Sequence, residues 1–516
     1  MKSNSRTAKS IKNSVVAMSF YIVNLALQFF SRKVFLDYLG TEILGLNTTA
    51  MNLLQFLNLA ELGVNAAVGF TLYKPLHDND IQSVNEIVTL QGRLYRRIAM
   101  IIIGGAAVLM CFFPLIFAKI ELPLWYAYAS FGVLLYSAML GYFVNYRQIV
   151  LTASQQDYKV LYSYKSVMIL KVLFQMCAVR YFDNAYVWWL VLEVVFASVA
   201  SLSLHRMTMK AFPALADTGH SFRQLRKKYP EFILKIKQLF IHKFGGFAIY
   251  QVSPLIIYAY TSLSLVAVYG NYMIIVTGIQ IMAQMAFAGM TAGIGNLIAE
   301  GNKEKIVKVF EEYFSLRFFI SAVMTFGLFV LSTPLVTLWI GPNYLLPQST
   351  LLIILAIMYI TLFRHILESF ISAYGLYSDV YATVVEASVN IALSVILGAF
   401  YGLDGVLGGT LVSILLVVVF WKPYYLFRKG FNGHYDRFVR MFIIHNAIGI
   451  GLAVVFVFST KILFHVVTQS VTHAFFIGLA VVALYAVVLC ALLYVFTNGM
   501  RMAAGRISSL LRSTKS

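Results

Sequence analysis

The stretch FLNLAELGVNAAVGFTLYKPLHDND, Phe56 to Asp80, decides how this chain is read. Before Lys74 it is an apolar helix, in which Leu, Ala, Gly and Val surround a single carboxylate, Glu61. With the residues that precede it, such a helix is long enough to cross the ~30 Å of a bilayer's hydrocarbon at about 1.5 Å per residue. A charge inside it is costly unless it faces protein or water, so Glu61 marks either a working site or a packing anchor.

The rest of the chain agrees with a membrane setting. Of its 516 residues 60% are hydrophobic and 12% charged, with a mean hydropathy of +0.79, whereas soluble domains hold roughly 45–50% apolar residues. The expectation is an all-α integral membrane protein. The basic start (Lys2, Arg6, Lys9, Lys12) runs into a long apolar helix with no small-residue cleavage site, so the first helix is expected to stay in the product. Cys111, Cys177 and Cys490 all fall in apolar segments and read as small buried hydrophobes, which sets disulfide and zinc chemistry aside. No cofactor or metal is expected.

Fourteen apolar segments are long enough to cross: 11–30, 44–73, 98–117, 122–144, 160–179, 187–204, 241–260, 265–298, 314–340, 351–374, 380–400, 406–421, 439–458 and 473–496. Lys and Arg orient them. With the N-terminus in the cytoplasm, 34 of the 40 basic residues fall in inside loops and the adjoining helix ends. Arg32, Lys33, Lys119, Arg180 and Lys461 fall outside, and Arg364 lies within a span. One missed helix near the N-terminus would swap the side of every later loop, so both termini are expected to be cytoplasmic. The net charge of +19 is then the retention signal of the loops plus attraction to anionic inner-leaflet lipid. It is not a nucleic-acid footprint, because no segment is long enough to fold as a soluble basic module.

The longest loop contains SFRQLRKKYPEFILKIKQLFIHK and follows the sixth span. Phe232, Ile233, Ile236, Leu239 and Phe240 share one helical face with Lys235 and Lys237 opposite, the pattern of a helix lying in the membrane interface. This loop would join two pseudo-symmetric six-helix lobes. The expected division is 1–206 for the first lobe, 207–240 for the basic loop, 241–428 for the second lobe, and 429–516 for helices 13 and 14 with a basic tail. An internal comparison at an offset of 224 residues sets LGLNTTAMNLL (from Leu44) on VYGNYMIIVTG (from Val268), aligning Asn47 with Asn271, and KPLHDND (from Lys74) on IAEGNKE (from Ile298). Paired repeats of this kind usually enclose a central cavity in transporters.

Polar residues inside spans are few and clustered. Asn24, Gln28 and Arg32 fall at i, i+4 and i+8 on one face of the first span. Asn52, Gln55, Asn58, Glu61 and Asn65 form a polar side on the second, either a cavity wall or a set of interhelical hydrogen bonds. In FRHILESF, Arg364 and Glu368 are spaced i, i+4 with His365 beside them, a self-contained ion pair or a cation shared with an anionic ligand. Lys165, Lys171, Glu193, Lys243 and the pair Glu386 and Asn390 complete the set. No Gly-rich loop ending in Lys-Ser/Thr is present, which excludes a P-loop nucleotide hydrolase.

The segment SRKVFLDYLGTEILGLNTTAMNLLQFLNLAELGVNAAVGFTLYKPLHDND, Ser31 to Asp80, resembles the first two helices of bacterial polysaccharide-transport flippases, the O-antigen-flippase-like exporters of the multidrug/oligosaccharidyl-lipid/polysaccharide superfamily. LGTEILGLN, LAELGV and LYKPL, in that order, carry the resemblance. It implies a two-lobe bundle in a bacterial cell (inner or plasma) membrane that passes an undecaprenyl-diphosphate-linked oligosaccharide from the cytoplasmic to the outer leaflet. A diphosphate and a hydrated sugar do not cross hydrocarbon unaided, so the transporter must offer a polar, cationic cavity. Arg32, Lys33, Lys171, Lys243 and Arg364 are the candidate diphosphate ligands. Asn24, Gln28, Asn47, Asn52, Gln55 and Asn271 are the candidate sugar contacts. Glu61, Glu193, Glu368 and Glu386 are candidate ion-coupling or structural carboxylates, with a proton or sodium ion as the coupling partner and polysaccharide-assembly proteins as possible companions. For Glu61 the two readings are a proton or cation site, or an anchor paired with a basic neighbour.

Other functions compete. A multidrug or metabolite cation antiporter of the same superfamily would want an acid in the first helix, which has none before Asp37. A membrane enzyme, a polymerase or transferase on lipid-linked sugars, would want acidic or His clusters in a sizeable outside loop, and the outside connections are short. A non-transporting scaffold has only the basic central loop in its favour. The chain is therefore expected not to be an enzyme.

Overall fold

Bare backbone amides are too costly in hydrocarbon, so apolar segments of this length must close their hydrogen bonds internally. The structure, a computed structural model, describes the chain except for residues 1, 62–63, 231, 235, 237–239, 241–252, 377–379, 432, 434, 468–469 and 514–516. Among the described residues every regular element is helical. Of these described helices ten are long and apolar enough to cross a membrane, or eleven if the bent pair Trp125–Phe143 and Tyr146–Ala153 forms one span; most of the expected span 241–260 lies outside the described residues. The chain forms two compact units, Met1–Gly270 and Asn271–Ser516.

The first unit holds α1 (Lys2–Leu57), α2 (Val64–Asp78), α3 (Ile81–Cys111), α4 (Trp125–Phe143), α5 (Ser166–Tyr181), α6 (Ala185–Ala211), the short α7 (Phe222–Lys228) and the start of α8 (Leu263–Ala299). Its core joins Val64, Val68 and Leu72 to Ile87, Val88 and Ile98, with Met139, Tyr142 and Val150. The apolar part of α1, Val15–Leu57, is 43 residues long, about twice what one crossing needs. Gly40 (φ 80°, ψ 174°) interrupts it. Before that glycine Phe35 sets its ring edge-on to Trp189 at 4.8 Å, and after it Asn47 accepts from Tyr186 at 2.9 Å. Both partners sit on one turn of α6, so the chain reverses between them.

The second unit holds the rest of α8 and then α9 (Lys303–Trp339), α10 (Gln348–Ala373), α11 (Val380–Ile414), α12 (Lys422–Lys429), α13 (Tyr435–Val467), α14 (Val471–Phe496) and α15 (Asn498–Ser513). One core is built from edge-to-face aromatic pairs around Phe310, Phe314, Phe370 and Phe427. Another seats α14 on α9, where Phe326 and Tyr485 stack at 4.1 Å. Gly402 (φ 54°, ψ −127°) bends α11 back on itself. Ser394 Oγ donates to the Val406 carbonyl at 2.8 Å and Asn390 Nδ2 to Ser413 Oγ at 3.4 Å, the nested pairs of a helical hairpin. A Cβ on Gly405 would strike the Leu397 carbonyl, and one on Gly409 the Ser394 amide, so glycine is what lets these arms meet.

The joint after α2 recurs after α8. Asn79 (φ 56°) and Gly301 (φ 74°) turn the chain, and Asp80 and Asn302 then cap α3 and α9 by accepting from the Ser83 and Lys305 amides, each at 3.0 Å. The matching residues lie 222 apart, within the segments KPLHDND and IAEGNKE but two residues out of the register of the 224-residue comparison.

Three expectations are corrected. The second span, 44–73, is not one rod, because a 3₁₀ turn at Asn58–Glu61 ends its first part and α2 begins at Val64. Cys111 and Cys177 are exposed rather than buried, since a helix facing lipid keeps apolar residues on its outside. The face expected to lie on lipid in the basic loop is turned to protein in part: Phe232 is 1% exposed, and Ile233 and Ile236 join it against the core of α2 and α3. The loop is strapped down by Asn85, which donates to the Ala214 carbonyl (3.0 Å) and accepts from the Ala216 amide (3.1 Å). Lys228 pairs with the buried Glu86 at 2.6 Å, and Tyr229 donates to that carboxylate at 2.6 Å.

Two outcomes follow. Gly40→Ala and Gly402→Ala should each cost about 1–3 kcal/mol, because a side chain is strained at those backbone angles, whereas Gly104→Ala, inside α3 with open space around it, should be neutral or slightly stabilising; thermal unfolding in detergent separates the three. Its hydrogen bond to Glu86 raises the Lys228 pKa above the ordinary lysine value. Its contribution is thus present through neutral pH and lost as pH rises past that raised value, so the protection of amides in 214–229, relative to their intrinsic exchange at each pH, should fall in the alkaline range.

Candidate functional site

Intramembrane polar residues gather in three places, two in the first unit and one in the second. Glu61 ends the 3₁₀ turn at the break between α1 and α2. Tyr142 donates to its Oε2 at 2.6 Å, Tyr95 to its Oε1 at 2.7 Å, and Asn65 Nδ2 to Oε1 at 2.9 Å. The Tyr142 hydroxyl also lies within donating distance, 3.3 Å, of the Asn58 side-chain Oδ1. Among the described residues no Lys, Arg or His forms an ion pair with Glu61. The anchoring neighbours are therefore phenols and amides rather than the basic residue expected. The tyrosines were not among the residues singled out in the sequence, since a hydroxyl in an aromatic-rich chain carries no pattern.

The second cluster lies between α5 and α6. Lys171 and Glu193 pair at 2.7 Å, each side chain 15% exposed. Buried Gln175 donates to Glu193 Oε2 at 3.1 Å and to the Trp189 carbonyl at 3.0 Å. Just before α5 the helix takes a π turn at Leu161–Lys165.

The third is a closed quartet in the second unit. Arg364 Nη1 and Nη2 donate to the two oxygens of Glu386 at 2.6 and 3.1 Å, and its Nε donates to Glu368 at 2.6 Å. Lys422, at the start of α12, donates to the same Glu368 oxygen at 2.5 Å. Two cations and two carboxylates cancel, and Glu386 has no exposed surface. Lys422 went unnoticed in the sequence because it reads as an inside-loop charge; the fold carries it back onto α10. Beside the quartet His365 Nε2 lies 2.8 Å from Gln284.

The other candidates are dispersed. Arg32 donates to the Ala267 carbonyl at 3.2 Å and lies against Gly270, where a Cβ would come within 2.8 Å of its guanidinium. Lys33 pairs with Asp37 at 3.6 Å, both half exposed. Lys243 lies outside the described residues. Asn24 and Gln28 are exposed on α1, and Gln55 is half-buried. Asn47 accepts from Ser130 (2.5 Å) and Tyr186, which uses its oxygen for helix packing. Asn52 buries an Nδ2 without a partner, and Asn271 is fully buried.

No protein-family model matches the chain, and no curated protein matches it. Solved structures do. The lipid II flippase MurJ in an inward closed conformation superposes with a TM-score of 0.66 at 14% identity, over 94% of this chain and 99% of that chain. An inward-facing multidrug resistance MATE family transporter of the MOP superfamily gives 0.59 at 15% identity, over 80% and 98%. A MOP superfamily transporter from Pyrococcus furiosus gives 0.52 at 14% identity, over 83% and 96%. At such identities the likeness is one of fold: the chain has a MOP-like transporter fold.

Removing one member of the quartet strands a buried charge. Glu386→Ala should therefore lower stability by about 3–5 kcal/mol, while Arg364→Met combined with Glu386→Met should lose clearly less. Denaturation of the three proteins in one detergent decides it, and equal losses for the single and the double variant would refute the closed-quartet account.

Proposed function

We propose that this protein is a flippase that moves an undecaprenyl-diphosphate-linked oligosaccharide from the cytoplasmic to the outer leaflet of a bacterial cell membrane. On this reading it works by alternating access, for cell-surface polysaccharide synthesis, and is not an enzyme. It has fourteen spans, both termini in the cytoplasm, and two pseudo-symmetric lobes followed by a helix pair. The single observation that supports it best is the extent of the likeness: a lipid flippase matches nearly the whole chain, whereas a drug transporter leaves uncovered a share the size of a helix pair. The motif segment from Ser31 to Asp80 points the same way.

On this reading Lys171 and Arg364 reach a phosphate only by releasing Glu193 and Glu386, so substrate binding and carboxylate release are one event. Arg32, Lys33 and Lys243 supply further charge. Asn24, Gln28, Asn52 and Gln55, with Asn47 and Asn271 on opening, meet sugar hydroxyls. Glu61, which has no ion-pair partner among the described residues, takes the coupling proton or sodium ion. That last feature also favours a second reading, a cation antiporter with the same fold, because a carboxylate held by phenols and amides is a ready ion site.

The deciding experiment is reconstitution in proteoliposomes with lipid-diphosphate oligosaccharides, following their leaflet distribution with and without a proton or sodium gradient. Transfer that depends on a gradient in the wild type and loses that dependence in Glu61→Gln, with the fold intact, is expected. Gradient-driven uptake of small cationic compounds with no transfer of any lipid-linked sugar would overturn the flippase and establish the antiporter.

A further inference from the structure

Arg317 is the anomaly of the second unit. It lies on α9 in the apolar run FSLRFFISAV and is 3% exposed. Its guanidinium carbon stands 3.9 Å from the ring centre of Phe287 and 5.8 Å from that of Tyr313. Nε and Nη1 are buried and make no hydrogen bond, and neither does the buried Tyr313 hydroxyl. No carboxylate among the described residues pairs with it. Glu311 and Glu312, one and a half turns before it, are engaged by Arg437 and Arg506. Glu368 and Glu386 are engaged by Arg364 and Lys422. The buried carboxylates described on α9 and α11, Glu311, Glu312 and Glu386, are thus spent on other cations.

A guanidinium stacked on an aromatic face keeps its in-plane N–H donors free for a planar or tetrahedral oxyanion. A buried cation with unused donors is costly to the resting fold, and a purely structural arginine would be expected to find a carbonyl or carboxylate. From these observations we infer that Arg317, with the Tyr313 hydroxyl beside it, is an oxyanion subsite for a phosphate group. It is occupied when the helices around it open, and unlike Arg364 it has donors to offer without first releasing a carboxylate. The inference rests on the flippase reading for the source of the phosphate, the diphosphate of the lipid, but not for its chemistry. His365, next to Arg364 on α10, meets Gln284 at 2.8 Å, and Gln284 is exposed at the surface of the unit.

The test uses the full chain in nanodiscs, with inorganic pyrophosphate, undecaprenyl diphosphate and undecaprenol as three probes, and thermal unfolding and binding as readouts. Wild type is expected to bind undecaprenyl diphosphate and not undecaprenol. Arg317→Met is expected to bind it at least tenfold more weakly, as loss of charge-assisted donors requires, while its ligand-free melting temperature is unchanged or higher. Arg317→Lys should fall between the two, keeping charge without the planar fork. Pyrophosphate binding that depends on Arg317, with no transfer of lipid-linked sugar in liposomes, would leave the subsite standing and remove the flippase. An Arg317→Met protein that fails to fold, or melts lower while binding all probes as wild type does, would overturn the inference, as would a wild type protected by neither phosphate probe.

Discussion

A charge placed in hydrocarbon must be neutralised, hydrogen-bonded or given to a ligand, and the interior of this protein is organised by that requirement. Arg364, Glu368, Glu386 and Lys422 meet it by closing on one another. Lys171, Glu193 and Gln175 meet it between two neighbouring helices. Glu61 meets it with two phenols and an amide in place of a cation. Arg317 meets it only through an aromatic face. These solutions run from fully paired to barely paired.

The backbone departs from the α-helix near these groups. The 3₁₀ turn ends at Glu61, a π turn precedes the helix of Lys171, and a second π turn, Leu415–Trp421, runs into Lys422. In lipid an irregular turn is tolerated only where protein or water satisfies the freed groups. Such turns re-aim side chains and unload backbone hydrogen bonds beside the buried charges. The glycine reversals do a different job. Gly40 and Gly402 shorten connections to a single residue, and after Gly402 the glycines Gly405 and Gly409 let the two arms of α11 pack in contact.

The helices from Tyr435 onward pack within the second unit. α14 lies along α9, with Gly478 against Leu331 and Tyr485 donating to the Gly449 carbonyl at 3.1 Å. α15 then docks Gly499 onto Glu311 and Ser315 and places Arg506 on Glu312 at 2.8 Å. The same helix that carries Arg317 is thereby clamped along much of its length, which holds that guanidinium in its stack.

The membrane class, the helical character and the reversals near Gly40 and Gly402 were legible in the sequence because they depend on local quantities, apolar run length and the gaps between runs, whereas the 3₁₀ break at Asn58–Glu61 was not. Glu61 stood out for the same reason, a lone acid in a greasy run. Partnership was not legible. That Glu61 meets Tyr95 and Tyr142, that Lys422 returns to Glu368, that Phe232 faces protein and not lipid, and that Arg317 finds no carboxylate all depend on which helices are neighbours. Helical periodicity says which side of a rod is polar. Only the packing of rods against each other decides what that side touches, because contacts made tens or hundreds of residues apart leave no mark on local composition.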